Sequence, residues 1–186
     1  MSTIATAPTT TTSIWNIDPV HSVVEFKVRH MMISNVKGQF TGVSGVLTLG
    51  ETDVTKSRVE ATIDASTIHT RDPQRDTHLK SADFLDVEKY PTLTFQSTAV
   101  QRTANDEGTV TGDLTIHGVT REVVFQVEGP TLPSKDPWGH TRLGLSATTK
   151  ISRKEFGLTW NAALEAGGLL IGDEVTITLD VQFVKA

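Results

Sequence analysis

The sequence predicts an all-β fold: an antiparallel β-barrel of about eight strands with a short helical insertion near one end. Three observations carry that prediction. Apolar and polar residues alternate along almost every segment, with the apolar set on one face only, as in an antiparallel sheet with a single buried face. Turn signals such as Asn105-Asp106-Glu107-Gly108 and His117-Gly118 join successive runs as hairpins. Several runs exceed the usual strand length of about 5–6 residues, and closing the sheet removes the edges that such strands would expose. From pattern alone, a two-sheet sandwich with a filled core is the competing arrangement.

Residues 1–13 are threonine-rich and too polar to pack, and read as a disordered leader; residues 14–186 read as one domain, large enough to bury a core. Trp15 and Ile17 enter the fold ahead of a kink at Asp18-Pro19. Next, Val24, Phe26, Val28 and His30 share one face, against Glu25, Lys27 and Arg29 on the other. His30, in the apolar phase, is either a core histidine with a hydrogen-bond partner or a polar contact for something bound inside. Residues 36–49 form the next strand after a turn at Ser34-Asn35, and its Gly38, Gly42 and Gly45 read as marks of a bulge or bend. Residues 58–64 point Val59, Ala61 and Ile63 inward. Residues 92–100 carry Leu93 and Phe95 on one face. Val110, Gly112, Leu114 and Ile116 follow, then Val123, Phe125 and Val127. Residues 130–139, with Pro130, Pro133 and Pro137, read as a loop. Leu143, Leu145, Ala147, Thr149 and Ile151 then face inward, and Val175, Ile177, Leu179, Val181 and Phe183 give the clearest strand of all.

Residues 70–95 interrupt the alternation. Dense charge and Pro73 predict a loop over 71–76; Leu79, Ala82 and Leu85 then recur at three-residue spacing, which predicts a short helix over 78–85. Tyr90-Pro91 ends it, because the residue before proline is pushed out of the α region. Phe84 and Leu85 need cover, and one open end of the barrel supplies it. A second irregular stretch, 153–172, carries Phe156, Trp160 and Asn161. Several inward residues are small (Gly38, Gly42, Ala61, Gly112, Ala147), sparse filling for a solid core. Long walls of small and aliphatic groups predict an elongated apolar cavity.

The net charge of −5 and the lack of a basic cluster exclude a nucleic-acid partner of the usual kind. The absence of cysteine excludes disulfides, thiolate nucleophiles and Cys-ligated zinc. No apolar run reaches the roughly 18–20 residues of a membrane helix, so no transmembrane segment is expected. The start carries neither Lys nor Arg ahead of an apolar run, so it fails the pattern of a secretory signal, and a cytoplasmic protein is expected. The histidines show no metalloprotease spacing. Asp76 and His78, with His69 or Asp72, could touch one metal, but charged loop residues are ordinarily solvated, so no metal and no cofactor is expected. No catalytic constellation emerges, and a non-enzyme is expected. Arg71, Arg75, His78 and Lys80 lie close together in the insertion, where they could hold the polar or anionic head of a ligand whose tail fills the barrel. Pairing with Asp72, Asp76 and Asp83 is their competing use.

A set of motifs runs through the chain in order: Trp15-Asn16-Ile17-Asp18-Pro19-Val20-His21-Ser22, Val28-Arg29-His30 and Asn35-Val36-Lys37-Gly38-Gln39-Phe40. Arg75-Asp76-Thr77-His78-Leu79-Lys80-Ser81-Ala82-Asp83-Phe84-Leu85-Asp86 and Tyr90-Pro91-Thr92-Leu93-Thr94-Phe95 follow. Then come Gly112-Asp113-Leu114-Thr115-Ile116-His117-Gly118-Val119-Thr120-Arg121, Asp136-Pro137-Trp138-Gly139 and Phe156-Gly157-Leu158-Thr159-Trp160-Asn161. Each is weak alone; together they make the chain resemble the YceI-like family over nearly its whole length. The resemblance implies an extended, lipocalin-like antiparallel barrel whose pore binds isoprenoid or polyprenyl lipids, and no established catalytic residues. It also implies relatives exported to the periplasm, a pattern from which this start departs.

On that reading Phe26, His30, Phe40, Leu93, Phe95, Leu114 and Leu145 are, by phase, the walls of the ligand site, and Arg75, His78 and Trp160 its rim. The expected function is storage, transport or sequestration of such a lipid, with a homodimer compatible with the barrel. Two other classes remain at this stage. One is an enzyme acting on a prenylated substrate, with His30 as its deep ionisable group; the other is a stress-response interaction protein with a filled barrel.

Overall fold

A computed structural model describes residues 11–186. In chain order the strands are β1 (Thr12–Ile17), β2 (Val23–His30), β3 (Ser34–Phe40), β4 (Val43–Gly50), β5 (Arg58–Asp64), β6 (Ile68–His69), β7 (Thr92–Arg102) and β8 (Glu107–Ile116). Then follow β9 (Val119–Glu128), β10 (Ser134–Lys135), β11 (Thr141–Ser152) and β12 (Ile171–Lys185); the α-helix α1 (Pro73–Lys80) lies between β6 and β7. All neighbouring strands are antiparallel, and the sheet closes where β11 pairs with β12. The pieces make eight staves. β1 and β2 lie end to end along one edge of β12, broken by the short 3-10 turn Pro19–His21. β3 and β4 likewise form one broken stave, as do β5 and β6. β10 extends the sheet beside the start of β11.

The alternation sets the registers. Val24 pairs with Phe40, Ala61 with Phe95, Phe95 with Leu114, and Leu145 with Val181. Antiparallel partners project to the same face, so each inward residue places the next one inward. His117 and Gly118 both take left-handed backbone (φ 53° and 71°), the geometry of a tight hairpin between β8 and β9.

Several expectations need correction. The turn read at Ser34-Asn35 falls at residues 31–33, because Ser34 and Asn35 already pair in β3 with His30 and Arg29. The predicted leader of residues 1–13 runs too far: Thr12 and Ser13 belong to β1, where Ser13 is buried and its hydroxyl accepts from Trp15 Nε1 at 2.8 Å. Residues 1–10 of that stretch lie outside the described residues. The helix starts earlier than its apolar spacing predicts, because Asp72 caps it, accepting from the Gln74 and Arg75 amides at 3.0 and 3.2 Å, and Pro73 occupies the first turn. Proline there begins the helix rather than breaking the chain. Gly38 marks neither bulge nor bend, and Gly112, read as sparse filling, sits opposite the register shift between Ser97 and Ala99. A Cβ on Gly38 would stand 2.3 Å from the Phe26 ring, and one on Gly112 2.5 Å from the Phe95 ring; each glycine is a seat for an aromatic ring.

Two apolar clusters line the inside. One, around Trp15, Leu47, Leu143, Val181 and Phe183, sits toward the end where β1 and β12 meet. The larger one includes Val24, Phe40, Leu93, Leu114, Phe125 and Phe156, and receives Leu79 and Leu85 from the α1 segment. Among the described residues no helix is long and apolar enough to cross a membrane.

Candidate functional site

The closed wall encloses a cavity of about 640 Å³, within the range of small-molecule sites. Phe26, His30, Phe40, Leu93, Phe95, Leu114 and Leu145 all line it, as their phase in the strands requires. Phe26 packs against Phe40 with ring centroids 5.8 Å apart, and Phe95 meets Phe125 edge-on at 5.3 Å. These rings stiffen the wall rather than plug it. His30, at the far end of β2, is half-buried, and its ring has no hydrogen-bond partner among the described residues.

The rim differs from the sequence reading. Arg75 lines the cavity, but His78 and Trp160 do not. The His78 ring stands edge-on to Trp160 at 4.7 Å and to Phe84 at 5.0 Å, and its Nε2 lies 2.8 Å from Asp83 Oδ2. Those two residues back up Phe84, which itself reaches the cavity. Arg75 is partly committed: its Nε donates to Thr70 Oγ1 and its Nη2 to Thr70 O, both at 2.8 Å. Asp76 accepts from the Thr70 amide at 2.8 Å and from its hydroxyl at 2.5 Å, so Thr70, almost fully buried, is the hub of this turn. The aspartates and His78 weighed as metal ligands are thus a helix cap, a turn bond and an aromatic stack. Among the described residues no cluster of three or more His, Asp or Glu is placed to hold a metal.

Two further polar features were not visible in the sequence. Arg153 is buried, 4% exposed, and lines the same end of the cavity. Its guanidinium donates to the carbonyls of Gly172 (2.8 Å), Leu158 (2.7 Å) and Trp160 (2.9 Å), stapling the irregular stretch 153–172 to the barrel. Burial lowers its pKa, and the nearby Asp173 opposes that. At the opposite end, where β4, β7 and β9 finish, the lining passes through Glu51, Arg102, Glu107 and residues 130–133. Leu132 stands there 89% exposed. The cavity therefore runs the length of the barrel, with charged residues at both ends.

On the outside, Arg142 Nη1 bonds Asp18 Oδ2 at 2.5 Å and its Nε bonds Asp136 Oδ2 at 2.6 Å. The other oxygen of each carboxylate accepts from a backbone amide two residues on, Val20 and Trp138. One guanidinium thus fixes two turns, and the Asp18-Pro19 and Asp136-Pro137-Trp138-Gly139 motifs are structural. Arg142, then His21, draws the Asp18 carboxyl down to about 2, and Arg142 holds Asp136 lower still.

A long apolar cavity inside a closed antiparallel barrel, with polar groups gathered at its ends, defines a β-barrel of the ligand-enclosing kind. The YceI-like domain family matches residues 15–183, and the chain belongs to that family. UPF0312 protein SAB2563 of Staphylococcus aureus (strain bovine RF122 / ET3-1) is 35% identical over 170 residues, covering 91% of this chain and 96% of its own. The crystal structure of a Campylobacter jejuni YceI protein superposes with a TM-score of 0.72 at 29% identity, covering 85% of this chain and 90% of its own. A polyisoprenoid-binding domain from Saccharophagus degradans, implicated in plant cell wall breakdown, superposes with a TM-score of 0.65 at 14% identity, covering 92% and 98%. That likeness shows a shared fold.

Proposed function

We propose that the protein binds a long apolar lipid of the isoprenoid or polyprenyl class along the barrel pore, as a carrier or store. The observation that carries this is the cavity itself: about 640 Å³, running the length of the barrel and walled by aromatic and aliphatic side chains. The polyisoprenoid-binding domain of the same fold supports the choice of lipid class. Each CH₂ moved from water into the pore contributes about 0.8 kcal/mol, so a dozen give on the order of 10 kcal/mol before ordering costs are subtracted. Pore length then selects chain length. His30, half-buried with an unengaged ring, is a polar contact for the ligand rather than a satisfied core histidine, which favours the second of its two readings. Phe26, Phe40, Leu93, Phe95, Leu114 and Leu145 supply the wall contacts and Arg75 the rim contact.

Native mass spectrometry of the protein as purified, followed by solvent extraction, tests the reading. A stoichiometric prenyl-chain lipid is the expected result. An apo mass that takes up no added polyprenyl lipid would overturn it.

A further inference from the structure

β3 is the weak seam of the barrel. Its outer edge pairs with β6 only through Gln39 and Phe40, so the stretch from Ser34 to Gly38 has no strand beside it among the described residues. A second cavity, of about 550 Å³, opens along this edge between β3 and the start of α1. Its lining is about half polar, whereas that of the pore is mostly apolar, and the two share Glu25, Val36 and Arg75 as common lining. Lys37 from β3, His69 from β6, and Arg71 and Arg75 from the α1 segment converge on it. The carboxylate on its wall is Glu25, whose Oε1 lies 3.8 Å from Lys37 Nζ. Asp72, outside the groove, stands 4.0 Å from Arg75 Nη1.

Arg71 is the telling residue. Its backbone is left-handed (φ 67°), an uncommon state for a non-glycine residue, and its amide is bonded to His69 Nδ1 at 3.1 Å. Its guanidinium makes no hydrogen bond or ion pair among the described residues and is exposed. Arginine forks suit phosphate and carboxylate oxygens, and Lys37, Arg71 and Arg75 share this lining with one carboxylate, Glu25.

We infer that this groove holds the anionic head, a phosphate or carboxylate, of an amphiphile whose chain lies in the pore, entering past Val36. The inference rests on the lipid-binding reading and adds the chemistry of the head and its place. Of the basic residues that the insertion brings close in sequence, Arg71 and Arg75 take part, whereas His78 and Lys80 line neither cavity.

The test is a set of titrations of geranylgeranyl monophosphate, geranylgeraniol and inorganic phosphate into the wild type and into the double variant Arg71→Gln/Lys37→Gln. Both residues are exposed, so the fold is retained. The lipid phosphate is expected to bind the wild type about tenfold or more tightly than the alcohol, and the variant to bring the ratio close to one. A wild-type ratio near one, or a ratio unchanged in the variant, would overturn the head site and leave the pore reading standing. Inorganic phosphate binding as tightly as the lipid phosphate would make the groove a free-anion site and overturn its link to the chain. No binding of either prenyl ligand would overturn both readings together.

Discussion

Along the wall, Ala61, Phe95 and Leu114 stand side by side because backbone ladders put them there. At the α1 end, Thr70, Arg75 and Arg153 hold the chain through side-chain bonds to backbone and to one another. The wall is a repeating structure in which many small contacts share the load, and any one position is supported by its neighbours on both strands. The α1 end is a small set of side-chain fastenings, among them Arg153 and Asn161 on the stretch 153–172 and Arg75 and Asp76 on Thr70. Damage should therefore be graded at the wall and abrupt at the end. A pore that must accept ligands is better built the first way, and a closure that must keep its shape the second.

The largest expected effect is at the end region. Arg153→Met keeps an apolar stem but leaves three partly buried carbonyls without their donor, a cost of about 3 kcal/mol in denaturant unfolding. Proteolysis of residues 153–172 should increase with it. A loss under about 1 kcal/mol would mean that the stretch is held by packing, and the contrast would fail. Next comes Gly112→Ala in the wall. Its Cβ would meet Gln96 O at 2.5 Å as well as the Phe95 ring, and over-packing of this kind costs about 2 kcal/mol, with bound lipid retained. An unfolded variant would show the wall to be as unforgiving as the end.

The smallest effect is on the outer surface. Asp18 is drawn from 3.8 to about 2, first by Arg142 and then by His21. A carboxyl held low in the folded state adds stability above its ordinary value, and loses it as pH falls through the folded value. Asp18→Asn should therefore lower Tm by about 2–4 °C at neutral pH. The gap to the wild type should close as pH falls from 3.8 towards about 2. A gap that persists in acid would assign the effect to the turn and not to the ion pair.

The same division explains what the sequence conveyed. All seven wall residues were legible because period-two alternation is a local signal, and closure follows once each strand has one apolar face. The α1 end was not. Asp72 and Pro73 look like a loop in charge and breaker content, yet their order is that of a capped helix start, a signal present but outweighed by apolar spacing. His78 and Trp160 are far apart in sequence, and nothing local says that they stack on each other. Lys37 and Arg71 line one groove along the free edge of β3, a grouping that no periodicity encodes. The loop at 130–133 reaches the pore with Thr131 docked on β11, its amide donating to Gly144 O at 2.8 Å.

β12 has one further consequence. It pairs with β11 along one edge and with β2 and β1 along the other, so it joins the first strands of the described chain to the last. Until residues 171–185 have been synthesised and released, every earlier strand belongs to an open sheet whose apolar face looks onto water. Ring closure must wait for synthesis to reach β12, and its contacts span nearly the whole chain, the arrangement that makes folding slow. Nascent chains of this barrel should accordingly depend on chaperones, or on an early hydrophobic guest, until that final strand docks.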